Sequence, residues 1–308
     1  MTAAAETAYF FPGLDGFRLA EIGKFLVLSP FARERLAVAD EVLGYSVTRA
    51  LRDSGDYASP AARAATLVNA LSLADWAKEN LGEPGYCVGM SFGELIAAAY
   101  AECLPFADAV RIAAGVGECE LDYFRTAHQD LVTQVVTRVA AERMDELLAD
   151  LSDRGIWYDL SGHVDDGHYL ITMAEKHLEE FTAGVGKAGG YSLYAMRPAA
   201  HCSAFGPLRD RIETEVLRGT AFADPAVPVV SDVDGSVLRT GRAVRELVLS
   251  GFLRPLEWRS TAVAMAGLGV RRLCVVGLDR MWFRLAVTKK NFIVEPVNQA
   301  TVLRHRRG

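Results

Sequence analysis

The chain lacks the features that mark secreted, zinc-binding and nucleic-acid-binding proteins. Its five cysteines are an odd number in 308 residues, and no two of them have C-x-x-C spacing. Neither a disulfide framework nor a zinc ribbon is therefore indicated, and we expect no metal site. The 33 basic side chains are outnumbered by 39 acidic ones, which gives a formal net charge of −6. A nucleic-acid partner is not expected, because such proteins usually present a basic domain.

Long hydrophobic runs are also missing. The most apolar stretch, residues 95–110, is interrupted by Glu102, Pro105 and Asp108, whereas a membrane-spanning helix needs about 20 apolar residues. Residues 1–7 lack the basic segment that opens a signal peptide. With 51% hydrophobic residues, the chain still has enough apolar side chains for one large domain or two smaller ones. We predict a folded cytoplasmic protein without a membrane partner.

Strand-like and helix-like segments alternate in the first part of the chain. Residues 8–11 are a short apolar run that stops at a proline and a glycine, and residues 85–88 are a second such run. Residues 92–102 and 107–124 have apolar side chains at helical spacing. Residue 91 therefore falls in a tight turn between a strand and a helix.

The pattern changes from about residue 129, where shorter segments follow in the order βαββαβ. The strand-like segments are residues 131–139, 156–160, 168–173 and 191–196. The helix-like segments are residues 140–153 and 175–187. Residues 161–167 are expected to be a polar turn. This order is typical of a ferredoxin-like module. We predict an α/β fold: a large α/β-hydrolase-like domain of residues 1–125 and 198–308, with residues 126–197 inserted as a ferredoxin-like small subdomain.

The sharpest motif is the sequence Gly89-Met90-Ser91-Phe92-Gly93. A serine on a strand-to-helix turn has its hydroxyl exposed, and small neighbours let the backbone make the turn. The N-terminus of the following helix offers N–H groups and a positive dipole end to an oxyanion. A G-x-S-x-G string arises by chance in roughly one chain in ten of this composition, so an ordinary glycine-rich turn is the alternative. The strand before it and the helix after it favour a nucleophile.

A serine nucleophile needs a base, and His201 is the best placed of the six histidines. Each histidine taken singly is more often a surface or core residue than a catalytic one. His201, however, follows Ala199 and Ala200 at the point where the inserted module returns to the large domain. Small neighbours leave room beside the ring, and a boundary between two bodies is a common ligand position. We therefore assign His201 as the candidate general base.

Together these motifs resemble those of malonyl-CoA:acyl-carrier-protein transacylases and of the acyltransferase domains of polyketide synthases. The matching segments, in the order that the family has them, are FFPG at 10–13, GMSFGE at 89–94, AH at 200–201, PVVS at 228–231 and PLEW at 255–258. The resemblance extends from about residue 8 to about residue 298 and includes the ferredoxin-like module. Several spaced motifs in one order are much more specific than any one of them.

The resemblance implies a Ser–His dyad that works by ping-pong acyl transfer. Ser91 takes an acyl group from a thioester, and the phosphopantetheine thiol of an acyl carrier protein removes it, so the enzyme itself binds no cofactor. His201 deprotonates Ser91 and later the thiol. In this family a backbone carbonyl orients the histidine, here from residues 250–253. The N–H groups of Phe92 and Leu14 would hold the oxyanion, and the loss of one such donor costs about 3 kcal/mol.

The departures from the family pattern concern the substrate. Malonyl-transferring members have glutamine at the position of Leu14, histidine at that of Met90 and, 25 residues after the serine, an arginine where this chain has Val116. In those members the arginine binds the malonyl carboxylate through two charge-assisted hydrogen bonds. Arg111 cannot replace it, because five residues turn a helix by about 140°. An unpaired carboxylate in a closed pocket costs several kcal/mol, so malonyl and methylmalonyl groups are disfavoured.

The acyl pocket is therefore expected to be roomy and apolar. Ala200 would lie beside the histidine, with Val116 and Met90 in the wall, although valine and methionine are more often core residues. Asp15 and Glu120 are candidates to receive an ammonium group; a solvated loop acid and a solvated helix face are the more common alternative. The most similar function is that of discrete acyltransferases that move aminoacyl or dipeptidyl units between carrier proteins in macrolactam polyketide antibiotic pathways.

Acyl carrier proteins are acidic, so positive charge near the cleft would favour their docking. The candidate carrier contacts are Arg143, Met196, Arg197 and Arg254. Two other functions stay open on the sequence alone. A hydrolase that clears acyl groups from carriers would use the same dyad but admit water. A non-catalytic scaffold would keep the fold and only bind carriers.

The sequence Asp232-Val233-Asp234-Gly235 resembles the start of a calcium-binding loop. The twelfth position of such a loop is a glutamate, but here it is Ala243. We therefore predict a hairpin turn at these residues.

Overall fold

The computed structural model describes residues 6–14, 19–54 and 58–305. Within them the strands are β1 (Thr7–Phe11), β2 (Tyr86–Gly89), β3 (Leu131–Thr137), β4 (Tyr158–Asp165), β5 (His168–Ala174), β6 (Tyr191–Met196), β7 (Val229–Val230), β8 (Val237–Leu238), β9 (Arg272–Val276) and β10 (Ile293–Val297). The α-helices are α1 (Leu19–Leu28), α2 (Pro30–Leu43), α3 (Val47–Ser54), α4 (Pro60–Leu81), α5 (Gly93–Tyr100), α6 (Phe106–Phe124), α7 (Ala141–Asp153), α8 (Leu178–Lys187), α9 (Gly206–Arg211), α10 (Gly241–Ser250), α11 (Trp258–Gly267), α12 (Ala286–Asn291) and α13 (Gln299–His305). None of the helices in these ranges is long and apolar enough to cross a membrane. The predicted α/β class is confirmed.

The larger of two sheets has the strand order β10-β9-β1-β2-β7-β8. Its neighbouring strands are parallel except for β7 and β8, which form the hairpin predicted around Asp234. Successive side chains of β1 enter different cores, Tyr9 and Phe11 on one face and Ala8 and Phe10 on the other. Helices α4 and α5 contribute to the first core and α11 to the second. Both faces are therefore covered, as parallel sheets require.

The parallel strands bring chain segments that are distant in sequence to one edge of the large sheet, where their carboxyl ends meet. β1 ends at Phe11, β2 ends two residues before Ser91, and β7 ends two residues before Asp232. Helix α4 packs against α6 near this edge. Its start is set by Ser59, whose Oγ accepts a hydrogen bond from the Ala62 N–H at 3.2 Å. The fold thus gathers the loops that build the site.

The smaller sheet is antiparallel, with the order β4-β5-β3-β6 that a βαββαβ chain gives in a ferredoxin-like module. One prediction within it is wrong. Residues 161–167 are not a polar turn, because β4 continues to Asp165 and only Asp166 and Gly167 remain outside the strands. The strand tolerates Ser161 because its buried hydroxyl hydrogen-bonds to Thr172 Oγ1 at 2.5 Å.

Hydrogen bonds attach the small sheet to the large subdomain. Leu256 N–H donates to the Ser161 carbonyl at 3.0 Å, and the Leu256 carbonyl accepts from the His163 N–H at 2.8 Å. The Asp165 carboxylate accepts hydrogen bonds from the first N–H groups of α12. A cleft of about 1240 Å³ lies between the subdomains, and residues of both line it.

Candidate active site

Ser91 lies on a sharp turn between β2 and α5, at the floor of the cleft. Its φ of 57° is in the left-handed region, which non-glycine residues adopt rarely and mostly at functional sites. The glycines of the motif are required by close backbone approach. A Cβ on Gly89 would lie 2.0 Å from the Gly93 carbonyl oxygen, and a Cβ on Gly93 would lie 2.1 Å from that of Phe11. The G-x-S-x-G string is therefore a strand-to-helix elbow rather than an ordinary turn.

His201 meets Ser91 across 110 residues of sequence. Its Nε2 lies 2.9 Å from Ser91 Oγ, and its Nδ1 lies 2.7 Å from the Gly251 carbonyl oxygen. Because a carbonyl only accepts, Nδ1 carries the proton and the Nε2 lone pair faces the serine hydroxyl. Burial lowers the pKa of His201 to about 4, although the hydrogen bond to Gly251 opposes the change. The imidazole is therefore neutral at physiological pH, as a base must be.

The small subdomain helps to position His201. Thr133, on β3, accepts a hydrogen bond from the Ala200 N–H at 2.9 Å through its Oγ1. On the other side of the histidine, the Cys202 N–H donates to the Phe252 carbonyl at 3.0 Å. His201 itself has a φ of 53°, so both members of the pair adopt the left-handed conformation. Contacts from two subdomains thus hold a strained backbone in place.

The expected oxyanion donors lie beside Ser91. Phe92 precedes the first residue of α5, where helix N–H groups have no partner within the helix, and Leu14 also lines the cleft. The loop before Leu14 approaches closely, because a Cβ on Gly13 would lie 3.2 Å from Ser91 Cβ. The two N–H groups therefore come from the two loops that border the nucleophile.

Two carboxyl groups lie buried beneath the elbow, and the sequence reasoning did not assign them a role. Glu94 and Asp232 are 3% and 1% exposed, and their carboxyl groups are within hydrogen-bonding reach of each other. Asp232 Oδ2 also accepts from the Ser91 N–H at 3.4 Å. Burial, which neighbouring hydrogen bonds oppose, raises the pKa of Asp232 to about 6, and burial beside Asp232 raises that of Glu94. At least one of the two carboxyls therefore retains a proton more readily than an exposed acid.

Of the two apolar side chains expected in the wall of the acyl pocket, Val116 and Met90, only Val116 lines the cleft. Val116, on α6, and Ala200 both line the cleft. The prediction for Met90 is wrong: its side chain is fully buried in the core that contains Val88 and Phe10. Met90 and Val88 are two residues apart, so they point to the same face of the sheet, and Met90 is not among the residues that line the cleft. The candidate Asp15 lies outside the described residues.

An arginine that the sequence reasoning missed also lines this pocket. Arg63, on α4, pairs with Glu120, on α6, and its guanidinium lies 5.4 Å from the centre of the Phe92 ring. Glu120 is therefore neither a solvated acid nor a free acceptor for an ammonium group. Burial raises the pKa of Glu120, and Arg63 opposes this rise. The signal in the sequence was that Arg63 is the one charged residue among residues 60–74, most of which are apolar.

The candidate carrier contacts are dispersed around the cleft. Met196 and Arg197, at the end of β6, line it, and Arg197 is paired with Glu175. Arg143 is an exposed residue of α7 that pairs with Glu146, outside the lining of the cleft. Arg254 is exposed and also lies outside this lining.

No reactive cysteine or metal site competes with Ser91 in the described part of the chain. All five cysteines are free and buried. Cys202 is adjacent to His201 in sequence, but burial raises its pKa to about 11, so it stays a thiol. The residues that the structure describes contain no group of three His, Cys, Asp or Glu side chains that could hold a metal ion.

The fold and the Ser91–His201 pair define the class: an α/β protein in which a serine elbow meets a histidine in a cleft beside a ferredoxin-like subdomain. A family described as the VinK acyltransferase small domain matches residues 135–196. The malonyl CoA-acyl carrier protein transacylase of Escherichia coli strain K12 is 25% identical over 286 residues, which cover 88% of this chain and 89% of that protein. The polyketide biosynthesis protein ThaF of Burkholderia thailandensis is 27% identical over 283 residues, 88% of this chain and 23% of ThaF.

Solved structures have the same fold. FabD from Acinetobacter baumannii superposes with a TM-score of 0.85, at 18% identity, over 99% of this chain and 98% of that one. A malonyl-transacylase, solved with its type II polyketide-synthase acyl-carrier protein, gives 0.84 at 21% identity, over 97% and 98%. The sequence is thus similar to malonyl CoA-acyl carrier protein transacylases and to a polyketide biosynthesis protein, and the fold is the one that solved transacylases have.

Proposed function

We propose that this protein is an acyltransferase that moves an acyl group between acyl carrier proteins through an ester of Ser91. The observation that carries the proposal is the geometry of His201, which faces Ser91 Oγ at 2.9 Å with Nε2 while Nδ1 is fixed on the Gly251 carbonyl. A neutral, oriented imidazole beside a strained serine is the arrangement that nucleophilic catalysis needs. The relatives that act on acyl carrier proteins supply the class of substrate.

In the first half of the proposed reaction, Ser91 Oγ attacks the carbonyl carbon of an acyl thioester while its proton passes to His201 Nε2. The oxyanion forms next to the N–H groups of Phe92 and Leu14. When the tetrahedral adduct collapses, the C–S bond breaks and the leaving thiol takes the proton from Nε2. In the second half, a carrier thiol gives its proton to Nε2 and attacks the ester, and Ser91 leaves with that proton.

The cleft suits a substrate that is delivered on a long arm. The end of β6 contributes Met196, and the exposed Arg197 next to it, to the lining of the cleft. The phosphopantetheine of a carrier would reach Ser91 from this side, and the enzyme would need no cofactor of its own. The acidic surface of a carrier would find exposed arginines at positions 143, 197 and 254, of which Arg197 lines the cleft.

We further propose that the acyl group carries no terminal carboxylate and is aminoacyl or dipeptidyl in kind. The support is Val116, which offers the pocket an apolar side chain where malonyl-transferring members have an arginine, together with the small Ala200 beside the base. Arg63 does bring a guanidinium to the pocket, but Glu120 already occupies it. A carboxylate near Val116 would therefore meet a guanidinium that already has a carboxylate partner.

The experiment that tests the function combines an acylated carrier protein as donor with an unloaded holo carrier as acceptor. Intact mass spectrometry would follow the protein and both carriers. Acyl transfer predicts acyl mass first on Ser91 and then on the acceptor. Ser91→Ala should abolish both signals while binding of the carrier persists, and Ser203→Ala, at an exposed serine near the dyad, should change neither.

Each alternative function has its own outcome in this experiment. Free acid without label on the acceptor would identify a hydrolase. If no thioester from a panel of neutral and charged acyl groups adds mass to Ser91, the protein would be a carrier-binding scaffold. Turnover that survives Ser91→Ala would show that the nucleophile is misassigned.

A further inference from the structure

The Arg63–Glu120 pair is a built feature of the pocket rather than a surface contact. The side chains are 6% and 18% exposed, so water screens them poorly. They come from α4 and α6 and line the cleft together with Val116. Glu120 is one helical turn beyond Val116, which places the carboxylate next to the position that carries an arginine in malonyl-transferring relatives.

Arg63 is held from several directions. Its Nε donates to the Ala58 carbonyl at 3.2 Å, and its guanidinium stacks against Phe92, the residue after the nucleophile. Gly117 leaves room for its stem, since a Cβ there would lie 2.9 Å from Arg63 Cδ. The guanidinium therefore cannot swing away when an acyl group enters, and its net charge toward the pocket depends on Glu120.

We propose that Glu120 is a specificity-determining residue: by neutralising Arg63, it closes the acyl pocket to carboxylated acyl groups. This inference rests on the proposed function, because it needs Ser91 to accept acyl groups. A malonyl carboxylate would have to displace the Glu120 carboxylate from the guanidinium or lie beside it as a second buried anion. A neutral acyl chain disturbs neither charge. Without the negative charge of Glu120, the same guanidinium would bind a carboxylate through a charge-assisted hydrogen bond.

The decisive variant is Glu120→Gln, which keeps the length of the side chain and removes its charge. The probes are the malonyl and butyryl thioesters of N-acetylcysteamine, and the readout is the initial rate of Ser91 acylation by intact mass spectrometry. We expect the malonyl-to-butyryl rate ratio to rise about tenfold or more. Glu118→Gln changes an exposed acid on the same helix and should leave the ratio at the wild-type value.

A second variant guards against misfolding, because an unpaired buried Arg63 destabilises the chain. Arg63→Met with Glu120→Met replaces the pair by apolar side chains of similar length, which proteins often tolerate. It should fold and show no rise in the malonyl-to-butyryl rate ratio, because no guanidinium is left at this position to bind a carboxylate. A ratio that rises in the folded double variant as much as in Glu120→Gln would contradict selection through the charge of Arg63.

The possible outcomes distinguish a failure of the proposed acyltransferase function from a failure of the role proposed for Glu120. If neither thioester acylates wild-type Ser91, the proposed function fails. If butyryl acylates it but Glu120→Gln leaves the ratio unchanged in folded protein, or if Glu118→Gln raises it equally, the function stands and the role of Glu120 is wrong. Efficient malonyl acylation of the wild type would also overturn that role, because Arg63 would then be available despite its partner.

Discussion

Two buried charged pairs flank Ser91, and they are opposite in kind. Beneath the elbow, Glu94 and Asp232 bring like charges together, which favours a retained proton. In the acyl pocket, Arg63 and Glu120 bring opposite charges together, which favours two ions whose fields cancel. The ion pair cancels its own charge, whereas the acid pair keeps one negative charge when it holds one proton. The two pairs therefore differ in how a change of pH or a mutation disrupts them.

The Glu94–Asp232 pair also lies against Gly251, the residue whose carbonyl orients His201. A Cβ added to Gly251 would lie 2.5 Å from Glu94 Oε2, and the Gly251 carbonyl is the group that orients His201. Asp232, in turn, accepts from the Ser91 N–H. The acid pair therefore lies against the backbone of Ser91 and of Gly251, the residue that orients His201, whereas the ion pair lines the acyl pocket. We therefore expect substitutions at the acid pair to change the rate of Ser91 acylation. Substitutions at the ion pair should change the selectivity between acyl groups.

The largest effect is expected from Gly251→Ala. Its φ of −55° suits alanine, so the added methyl group acts through its clash with Glu94 and displaces the carbonyl that holds His201. A displacement of about 1 Å at a catalytic group costs about 100-fold, and we expect a loss of that order in Ser91 acylation with every thioester. Gly267→Ala, where nothing lies within 4 Å of the new Cβ, is the control. Unchanged acylation kinetics in Gly251→Ala would show that Glu94 does not influence the position of His201 through Gly251.

A smaller effect, on stability, is expected from Asp232→Asn. The folded-state pKa of about 6 lies above the usual 3.8, so the folded chain binds this proton more tightly and loses stability as the pH rises from about 4 to 6. Removing the acid should make the variant more stable than wild type by about 1–3 kcal/mol at pH 7.5, with the difference vanishing near pH 4.

Urea unfolding at several pH values would measure this difference. Asp234→Asn is the matched control, since hydrogen bonds to Ser236 and Ser231 lower the pKa of Asp234 against the effect of its partial burial. A lowered pKa contributes stability at neutral pH, so this control should be slightly less stable at pH 7.5. An Asp232→Asn variant that is less stable than wild type at pH 7.5 would contradict this prediction. The proton shared by Asp232 and Glu94 would then stabilise the folded chain by more than the repulsion between the two carboxyls destabilises it.

Val116→Arg tests the pocket side of the comparison, with an expected gain of about tenfold in the malonyl-to-butyryl rate ratio. The introduced guanidinium would lie one helical turn from Glu120, which would compete with the substrate for it. The ratio should therefore rise further when Glu120→Gln is added. No gain in a folded protein, alone or in combination, would mean that the carboxylate of a bound acyl group does not reach Val116.

The smallest expected effect is that of pH on acylation between 6 and 8. His201 is the base in its neutral form, and its pKa of about 4 means that it gains a proton only as the pH falls well below 6. The acylation rate should therefore change less than about twofold over this interval. Asp232→Asn should have the same profile, because Asp232 supports the backbone and transfers no proton. If the acylation rate falls to half near pH 6.5, the prediction is contradicted and His201 has an ordinary histidine pKa.

Local patterns made much of the fold predictable. The glycines at 89 and 93 and the alternation around them placed Ser91 on an elbow, because each of these constraints acts within a few residues. The prediction for residues 161–167 was wrong for a reason that sequence cannot reveal. Polar residues such as Ser161 are compatible with a strand when a neighbouring strand satisfies them, and Thr172 does so here.

The charges of the site were the least predictable part. Arg63 and Glu120 are 57 residues apart, and Glu94 and Asp232 are 138 apart, so nothing in their local sequence indicates their partners. Glu120 could be taken for a solvated acid and Asp232 for a turn residue, because most acids are solvated. The position of Met90 was also wrongly predicted, because only the packed sheet decides which of its faces is in the core.

The sequence by itself determined the order of the elements, the elbow and its serine, and the absence of an arginine at position 116, because short-range backbone sterics and hydrophobic periodicity act between neighbours. Tertiary structure alone decided that His201 reaches Ser91 at 2.9 Å, that Arg63 enters the pocket already paired, and that two acids lie under the nucleophile. Those facts depend on which distant segments the parallel sheet brings to one edge, and the burial that results sets the charge of every group there.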